Sequence, residues 1–377
     1  MKWLFWASLA TILYTYAGYP AWLWLRARLR PRPVQRSPYF PFVSVVMVVH
    51  NEEKTLAPKL DNLSTLHYQK EKLELIVVSD GSTDGTEEIL KRYTHGLRLR
   101  TLAFPECRGK AACLNDGIAA ARGELVLFTD VRQPIEKDAL QRLAENFADP
   151  TVGCVSGELM LGDPESGEAR QGTGLYWRIE KIIRDLESSS GSVVGATGAI
   201  YAARRQLLPV LPAGTILDDV FVPMAIVRTG HRVLFDGRVH AWDNPNLGGR
   251  REFARKVRTL SGNYQLVQLA PWLLSNTNPL RFEFVSHKLM RLAAPFALAL
   301  ALVSSALIQQ PFYRAAAIAQ AAFYLVGLLH RPLVHAGPLG KIAGAAGTFV
   351  VLNAAALVAF TNFVTGRKPV WNSGDFR

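Results

Sequence analysis

The chain has 377 residues, too many for one small domain, and its 49% hydrophobic residues are unevenly spread, so a catalytic middle between apolar ends is expected. The formal charge of +12 is carried by Lys and Arg residues beside apolar segments and in one later cluster. That pattern argues against a nucleic-acid partner and for membrane lipids and a diphosphate. Cys107, Cys113 and Cys154 are odd in number and lack paired metal-ligand spacing, as reduced thiols facing a cytosol do.

From Trp3 to Leu25 the chain is almost continuously apolar, enough to cross a hydrocarbon layer of roughly 30 Å at about 1.5 Å per residue. Trp3, Trp6, Tyr19, Trp22 and Trp24 lie towards its ends, where amphipathic rings favour the headgroup region. No small-residue cleavage site follows. Arg26, Arg28, Arg30 and Arg32 come next, so a retained helix with its arginines in the cytosol is expected rather than a cleaved leader.

Past a linker at Pro31–Pro41, Val43–Val49 is a β-branched run without alternation, the pattern of a parallel strand buried on both faces. Helical spacing follows at Leu56, Leu60, Leu63 and Leu66. Leu73–Val78 repeats the strand pattern and Thr86–Tyr93 the helical one. Lys110–Ala121 then reads as a helix closed by Gly123, and Glu124–Thr129 as another strand. This βαβαβ order predicts a doubly wound, mostly parallel sheet whose ligands bind at the carboxyl ends of the strands. The residues at those ends are His50, Asn51, Glu52 and Glu53, then Asp80, Gly81, Ser82, Thr83 and Asp84, then Asp130. A plain turn and helix cap would also explain Asp80-Gly81-Ser82.

After Asp130 the signal thins until Gly195–Tyr201, a small-residue stretch. Leu217-Asp218-Asp219-Val220 follows, ahead of a helix ending near Gly230; two acids there can cap that helix. Arg250, Arg251, Arg255, Lys256 and Arg258 lie on an amphipathic helix, with Phe253 and Val257 on its other side, suited to a bilayer surface. Apolar stretches near Leu292–Ile308, Tyr313–Leu329 and Ala343–Val364 each approach spanning length, Pro311 turning the first into the second. Three crossings would place Arg367, Lys368 and Arg377 outside, against their preference, so the parity stays open.

Taken together, Val43–Glu53 followed by Val78–Thr86 resembles the opening of the family 2 inverting glycosyltransferases. The likeness continues through Arg108–Gly117, Ala121–Glu124 and Phe128–Asp130, and covers roughly residues 43 to 260. It implies a GT-A domain, an α/β Rossmann-like fold with a mostly parallel central sheet, flanked by transmembrane α-helices. It also implies a nucleotide-sugar donor, expected to be a UDP-sugar, held by His50, Asn51, Glu52, Asp80, Gly81, Ser82, Lys110, Asp130 and Arg132. In that family an Asp at the place of Asp80 holds nucleobase and ribose. Asp130 matches the first Asp of D-x-D, the ligand of a divalent ion for which hard oxygen donors favour Mg or Mn.

Here the chain departs from the family, because Asp130-Val131-Arg132 puts a cation where a second carboxylate is usual. Either Arg132 contacts the diphosphate and takes over part of the ion's charge neutralisation, or it turns into solvent. Gly198 falls in the family's glycine-rich floor. Asp219 aligns with the catalytic base and Asp218 with its partner. Arg255-Lys256-Val257-Arg258-Thr259 stands where processive members, similar to hyaluronan, chitin, cellulose and poly-N-acetylglucosamine synthases, carry Q-x-x-R-W. That makes Arg255 and Arg258 diphosphate or acceptor residues. Thr259 replaces a tryptophan whose ring would stack on the acceptor sugar.

The expected protein is an inverting glycosyltransferase of polysaccharide or exopolysaccharide synthesis, integral to a bacterial inner membrane with a cytosolic catalytic domain. Its acceptor would be a glycan or lipid-linked sugar, with an accessory export subunit as a further partner. A single-addition transferase acting on a polyprenyl phosphate or lipid-linked sugar is the alternative within enzymes, and an inactive glycan-sensing or scaffold subunit the alternative outside them. The expected domains are a transmembrane helix and basic flank at 1–30, a linker at 31–42 and the catalytic domain at 43–248. The last divides into a nucleotide half at 43–150 and an acceptor half at 151–248. Interface helices at 249–284, transmembrane helices at 285–366 and a tail at 367–377 complete the chain.

Overall fold

The computed structural model describes residues 1–93, 96–162, 175–243, 249–330 and 337–367. Lys368 and Arg377 of the tail and the side chain of Arg250 lie outside the described residues. Seven strands form one sheet: β1 Val43–Val49, β2 Leu73–Asp80, β3 Arg98–Phe104, β4 Leu125–Thr129, β5 Val152–Leu161, β6 Ile200–Arg204 and β7 Arg232–Asp243. Their order across the sheet is β3-β2-β1-β4-β6-β5-β7.

The unbroken apolar run of β1 reflects cover on both faces. Val43, Val45, Met47 and Val49 pack in one layer with Leu56, Leu60 and Leu63 of α3 (Leu56–Ser64), Leu90 of α4 (Thr86–Arg92) and Leu140 of a later helix. Val46, Ile76 and Val78 point the other way. They meet Ala111 and Leu114 of α5 (Lys110–Ala120), then Val220 and Met224 of a helix at Asp218–Arg228.

Strand β1 pairs in parallel with β2 and β4, β2 with β3, and β5 with β7. Strand β6 runs against both of its neighbours, β4 and β5. The reversal matters for function. Thr129, the last residue of β4, pairs with Ile200, the first of β6, so the chain leaving β4 and the chain entering β6 meet at one end of the sheet. Asp130 and Gly198 are thereby brought to the same edge.

Two helices come next in the chain before β6: α6 (Ala139–Glu145) supports β7, and α7 (Leu175–Ser190) precedes the loop into β6. They are followed by α8 (Asp218–Arg228) and by α9 (Gly249–Leu269), the single long helix in which the basic cluster lies. Leu266 of α9 and Phe284 of α10 (Arg281–Phe284) are buried in the α5–α8 layer, so the helices expected at an interface share the catalytic core.

At the chain's ends, α1 (Lys2–Leu13) and α2 (Tyr19–Leu29) are joined by a π-helical turn, and α11 (Met290–Leu307), α12 (Pro311–Leu328) and α13 (Pro338–Val364) follow the domain. By length and composition, two helical segments among the described residues are long and apolar enough to cross a membrane, Arg281–Leu307 and Leu339–Val364. The sequence pointed to four. The other two carry polar or charged residues, Arg26 and Arg28 in α2 and Arg314 and Gln320 in α12.

A buried polar seam joins these ends to α7. Tyr19 Oη donates to Glu187 Oε1 at 2.6 Å, and the His287 ring lies between Glu187 Oε1 at 2.8 Å and Glu180 Oε1 at 3.0 Å. Arg291 donates to the other oxygen of Glu180 at 2.6 Å. Arg26 pairs with Glu283 beside them.

Candidate active site

The loops after β1 and β2 are laced together. Asn51, at φ 55° the one non-glycine with positive φ among the described residues, accepts from the Thr83 N–H at 2.8 Å, and its own N–H donates to Ser82 Oγ at 3.1 Å. Its amide Nδ2 donates to His50 Nε2 at 3.3 Å, and His50 Nδ1 donates to the Asp80 carbonyl at 2.6 Å. The Glu52 N–H donates to Thr86 Oγ1 at 2.8 Å. Burial raises the Glu52 carboxyl above its usual range, against the pull of Thr55 and Arg132.

Asp80 differs from the reading given by the sequence. Its carboxylate, expected to face uracil or ribose, is fully buried and faces the loop leading into α5. It accepts from the N–H groups of Arg108 at 2.6 Å and Gly109 at 2.9 Å, with Cys107 Sγ at 3.3 Å. Two backbone donors satisfy an ionised acceptor well, so Asp80 fixes the shape of this loop. Gly81 is required beside it: φ is +65°, and a Cβ would lie 2.6 Å from the Cys107 nitrogen.

Helix α5 begins with Lys110, whose Nζ lies 3.2 Å from Asp130 Oδ1 and 3.3 Å from Asp218 Oδ1. One cation thus ties the end of β4 to the start of α8. Burial alone would lower the Lys110 ammonium, but the charges of Asp130, Asp218 and Asp219 outweigh it and hold the pKa above its ordinary value. Asp218 is the first residue of α8, whose N-cap is Leu217 without a side-chain cap hydrogen bond, and it is buried against Lys110.

Gly198 forms the floor between the two other carboxylates. A Cβ placed there would be 3.4 Å from Asp219 Oδ2 and 3.7 Å from Asp130 Oδ2, so both oxygens converge on one open point above the glycine. The loop is held by Ala196 N–H donating to the Asp219 carbonyl at 2.7 Å and Thr197 N–H donating to Ser156 Oγ at 2.8 Å. Burial, then the adjacent Asp218 charge, push the Asp219 carboxyl up to about 6 despite the attraction of Lys110. A carboxylate so raised is more basic than an exposed one and still ionised at neutral pH.

Arg132 has an exposed side chain that is tethered at one end. Its Nη2 donates to Asp243 Oδ2 at 2.9 Å, and Arg255 Nη1 of α9 donates to the same oxygen at 3.4 Å. Arg258, the residue aligned with the family's arginine, makes no hydrogen bond or ion pair among the described residues, whereas Arg255 is joined to the site. Thr259 is exposed and donates back to the Arg255 carbonyl at 3.0 Å.

Sequence reasoning missed two residues here. Asp243, which ends β7, carried no signal in the sequence. Lys59 sits on the apolar stripe of α3 between Leu56 and Leu60, and a lysine in such a stripe was the available signal. It is buried and donates to Thr129 Oγ1 at 2.8 Å and to the Gln133 carbonyl, underpinning the loop that carries Asp130. Burial lowers its ammonium to about 7, Asp130 opposing.

Residues 44–209 match the family model for glycosyl transferase family 2. Those residues therefore match a family 2 glycosyltransferase domain, and the fold is GT-A. Among solved structures the chain is similar to the mannosyltransferase PcManGT of Pyrobaculum calidifontis, determined in complex with GDP-Man and Mn2+. The TM-score is 0.75 and the identity 25%, over 97% of this chain and 99% of that one. Among curated proteins it is 25% identical to the poly-beta-1,6-N-acetyl-D-glucosamine synthase of Staphylococcus aureus over 60% of this chain and 55% of the relative. It is 24% identical to the Staphylococcus epidermidis enzyme of the same name over 63% and 58%. The chain thus matches little more than half the length of those relatives.

The expected Mg or Mn ion fits the residues present in one way. Among the described residues no cluster of three or more His, Cys, Asp or Glu could hold a metal alone. The Asp130 side chain is 43% exposed at the cleft and offers hard oxygens, to which a donor's phosphates would add the remainder, the arrangement Mg adopts with phosphate substrates.

Proposed function

We propose that the protein transfers a sugar with inversion from a nucleotide-sugar donor to a membrane-held glycan acceptor in polysaccharide synthesis. The observation that supports this most is the convergence of the Asp130 and Asp219 carboxylates on the open floor at Gly198, with Lys110 bridging Asp130 to Asp218. In this reading the donor lies along the loops of His50, Asn51, Glu52, Gly81 and Ser82, whose form Asp80 maintains. Asp130 faces the diphosphate, and a divalent ion bound there would neutralise charge on the leaving group. Arg132 and Arg255 add fixed positive charge on the same side, acting where negative charge develops as the sugar departs.

Asp219 takes the acceptor hydroxyl proton on the face opposite the leaving diphosphate. Asp218 raises the basicity of Asp219 and keeps Lys110 in place. Transfer is expected to rise with pH through about 6, because the base must be ionised to accept a proton. A rate profile that stays flat well below that value removes Asp219 from this role.

The two apolar segments Arg281–Leu307 and Leu339–Val364 support an integral membrane location, a bacterial inner membrane with the catalytic domain in the cytosol. Both UDP- and GDP-sugars are donor candidates, since the relatives of this chain include a protein solved with GDP-Man. The exposed Thr259, in place of a stacking ring, favours single addition to a polyprenyl phosphate or lipid-linked sugar as the second reading. Membranes bearing the protein, incubated with a panel of UDP- and GDP-sugars, separate the readings by product length. Release of neither nucleotide with any sugar rejects the transferase assignment for this site.

A further inference from the structure

Asp243 is buried at the last position of β7, where its backbone carbonyl accepts from the Gly162 N–H at 3.1 Å. Its Oδ2 gathers three donors from two different parts of the chain. Arg132 Nη2 lies at 2.9 Å, Gln133 Nε2 at 3.4 Å and Arg255 Nη1 at 3.4 Å. Arg132 and Gln133 lie two and three residues after Asp130, while Arg255 belongs to α9. A single carboxylate oxygen on a rigid strand end therefore fixes two guanidinium groups.

The exposures are unequal in an informative way. The Asp243 side chain is 4% exposed, but those of Arg132 and Arg255 are 40% and 34% exposed. A guanidinium has five N–H donors in a planar fork, and each of these spends one on Asp243. The remaining donors, on partly exposed side chains, are left for another anion. Two cations held close together by one anion retain a net positive charge, and planar forks match phosphate oxygens.

We propose that Asp243 is a positioning residue that sets Arg132 and Arg255 as a paired clamp for the donor's diphosphate. In this chain the clamp replaces part of what the missing second carboxylate of D-x-D does elsewhere in the family. The proposal rests on the nucleotide-sugar reading above. Asp243 acts through the two arginines and does not itself touch the donor. Its loss lets both long side chains explore other rotamers, so their contacts with the diphosphate weaken while the nucleoside half of the site is untouched.

The test is calorimetric binding of UDP, GDP, uridine and guanosine to the full chain in nanodiscs, without divalent ion, for wild type, Asp243→Asn, and the double variant Arg132→Gln/Arg255→Gln. Asp243→Asn is expected to weaken the preferred nucleoside diphosphate about tenfold, as for a lost charged hydrogen bond. It should leave the matching nucleoside within about twofold. Adding Asp243→Asn to the double arginine variant should produce no further loss, since the carboxylate then has nothing to position.

Equal weakening of nucleoside and diphosphate, or unchanged diphosphate affinity in Asp243→Asn, overturns the clamp and leaves the donor reading standing. Wild type that binds neither diphosphate overturns the donor reading itself. Should Asp243→Asn not fold, the double arginine variant decides alone, because both side chains are partly exposed; retained diphosphate affinity there overturns the proposal.

Discussion

Asp219→Asn is expected to slow sugar transfer by about 10³-fold while leaving nucleoside diphosphate affinity nearly unchanged, because it removes the proton acceptor and nothing that faces the leaving group. Stability gives an independent check. The Asp219 carboxyl titrates at 3.8 when free and at about 6 in the fold, so between these values the folded chain holds a proton that the unfolded chain has released. Its contribution to stability is full below 3.8 and is lost as pH rises through about 6. Asparagine carries no charge at any of these values, so in metal-free buffer at neutral pH the variant should melt no lower than wild type. Lower activity with an equal or higher melting temperature assigns the loss to chemistry. Retained transfer would place the base elsewhere.

Lys110→Met is the second large effect. It leaves Asp130, Asp218 and Asp219 facing one another without the ammonium that lies 3.2 Å from Asp130 and 3.3 Å from Asp218. Removing one partner of a largely buried ionic cluster typically costs about 3 kcal/mol. The melting temperature should therefore fall, and fall more above a pH of about 6, where Asp219 is ionised. The lower limb of the pH–rate profile should also move upward, since the attraction that restrains the Asp219 pKa has gone. An unchanged limb would mean that Lys110 is not coupled to the base. Melting curves and initial rates across pH read the two consequences separately.

Much of this arrangement was legible because local pattern and position coincide. Val43–Val49 reads as a strand for the same reason that it is one: both faces are covered. Lys110, Asp130, Gly198, Asp218 and Asp219 stand at element ends, where an α/β sheet gathers its ligands, and the structure brings them together. The strand Arg98–Phe104 was missed because it is a sheet edge with half its residues exposed, so its composition reads as loop. The reversal of β6 was equally hidden, since strand direction depends on a crossover that no local period records. Asp243 was invisible for a related reason: its partner Arg132 is 111 residues away in the chain. The burial of Asp80 arose from the loop before α5 folding back onto a carboxylate that the family pattern assigned to a ligand.

The seam of Tyr19, Glu187, His287, Glu180 and Arg291 bears on how the enzyme can be handled. Glu187 is 1% exposed, and its partners come from helices at opposite ends of the chain, before and after the sheet. Excising residues 43–248 as a water-soluble fragment would strand two acidic groups of α7 without the guanidinium, imidazole and hydroxyl that partner them. The greasy helices therefore act as a splint for the catalytic body rather than as a leash, and such a fragment is expected to yield aggregated protein that detergent cannot rescue.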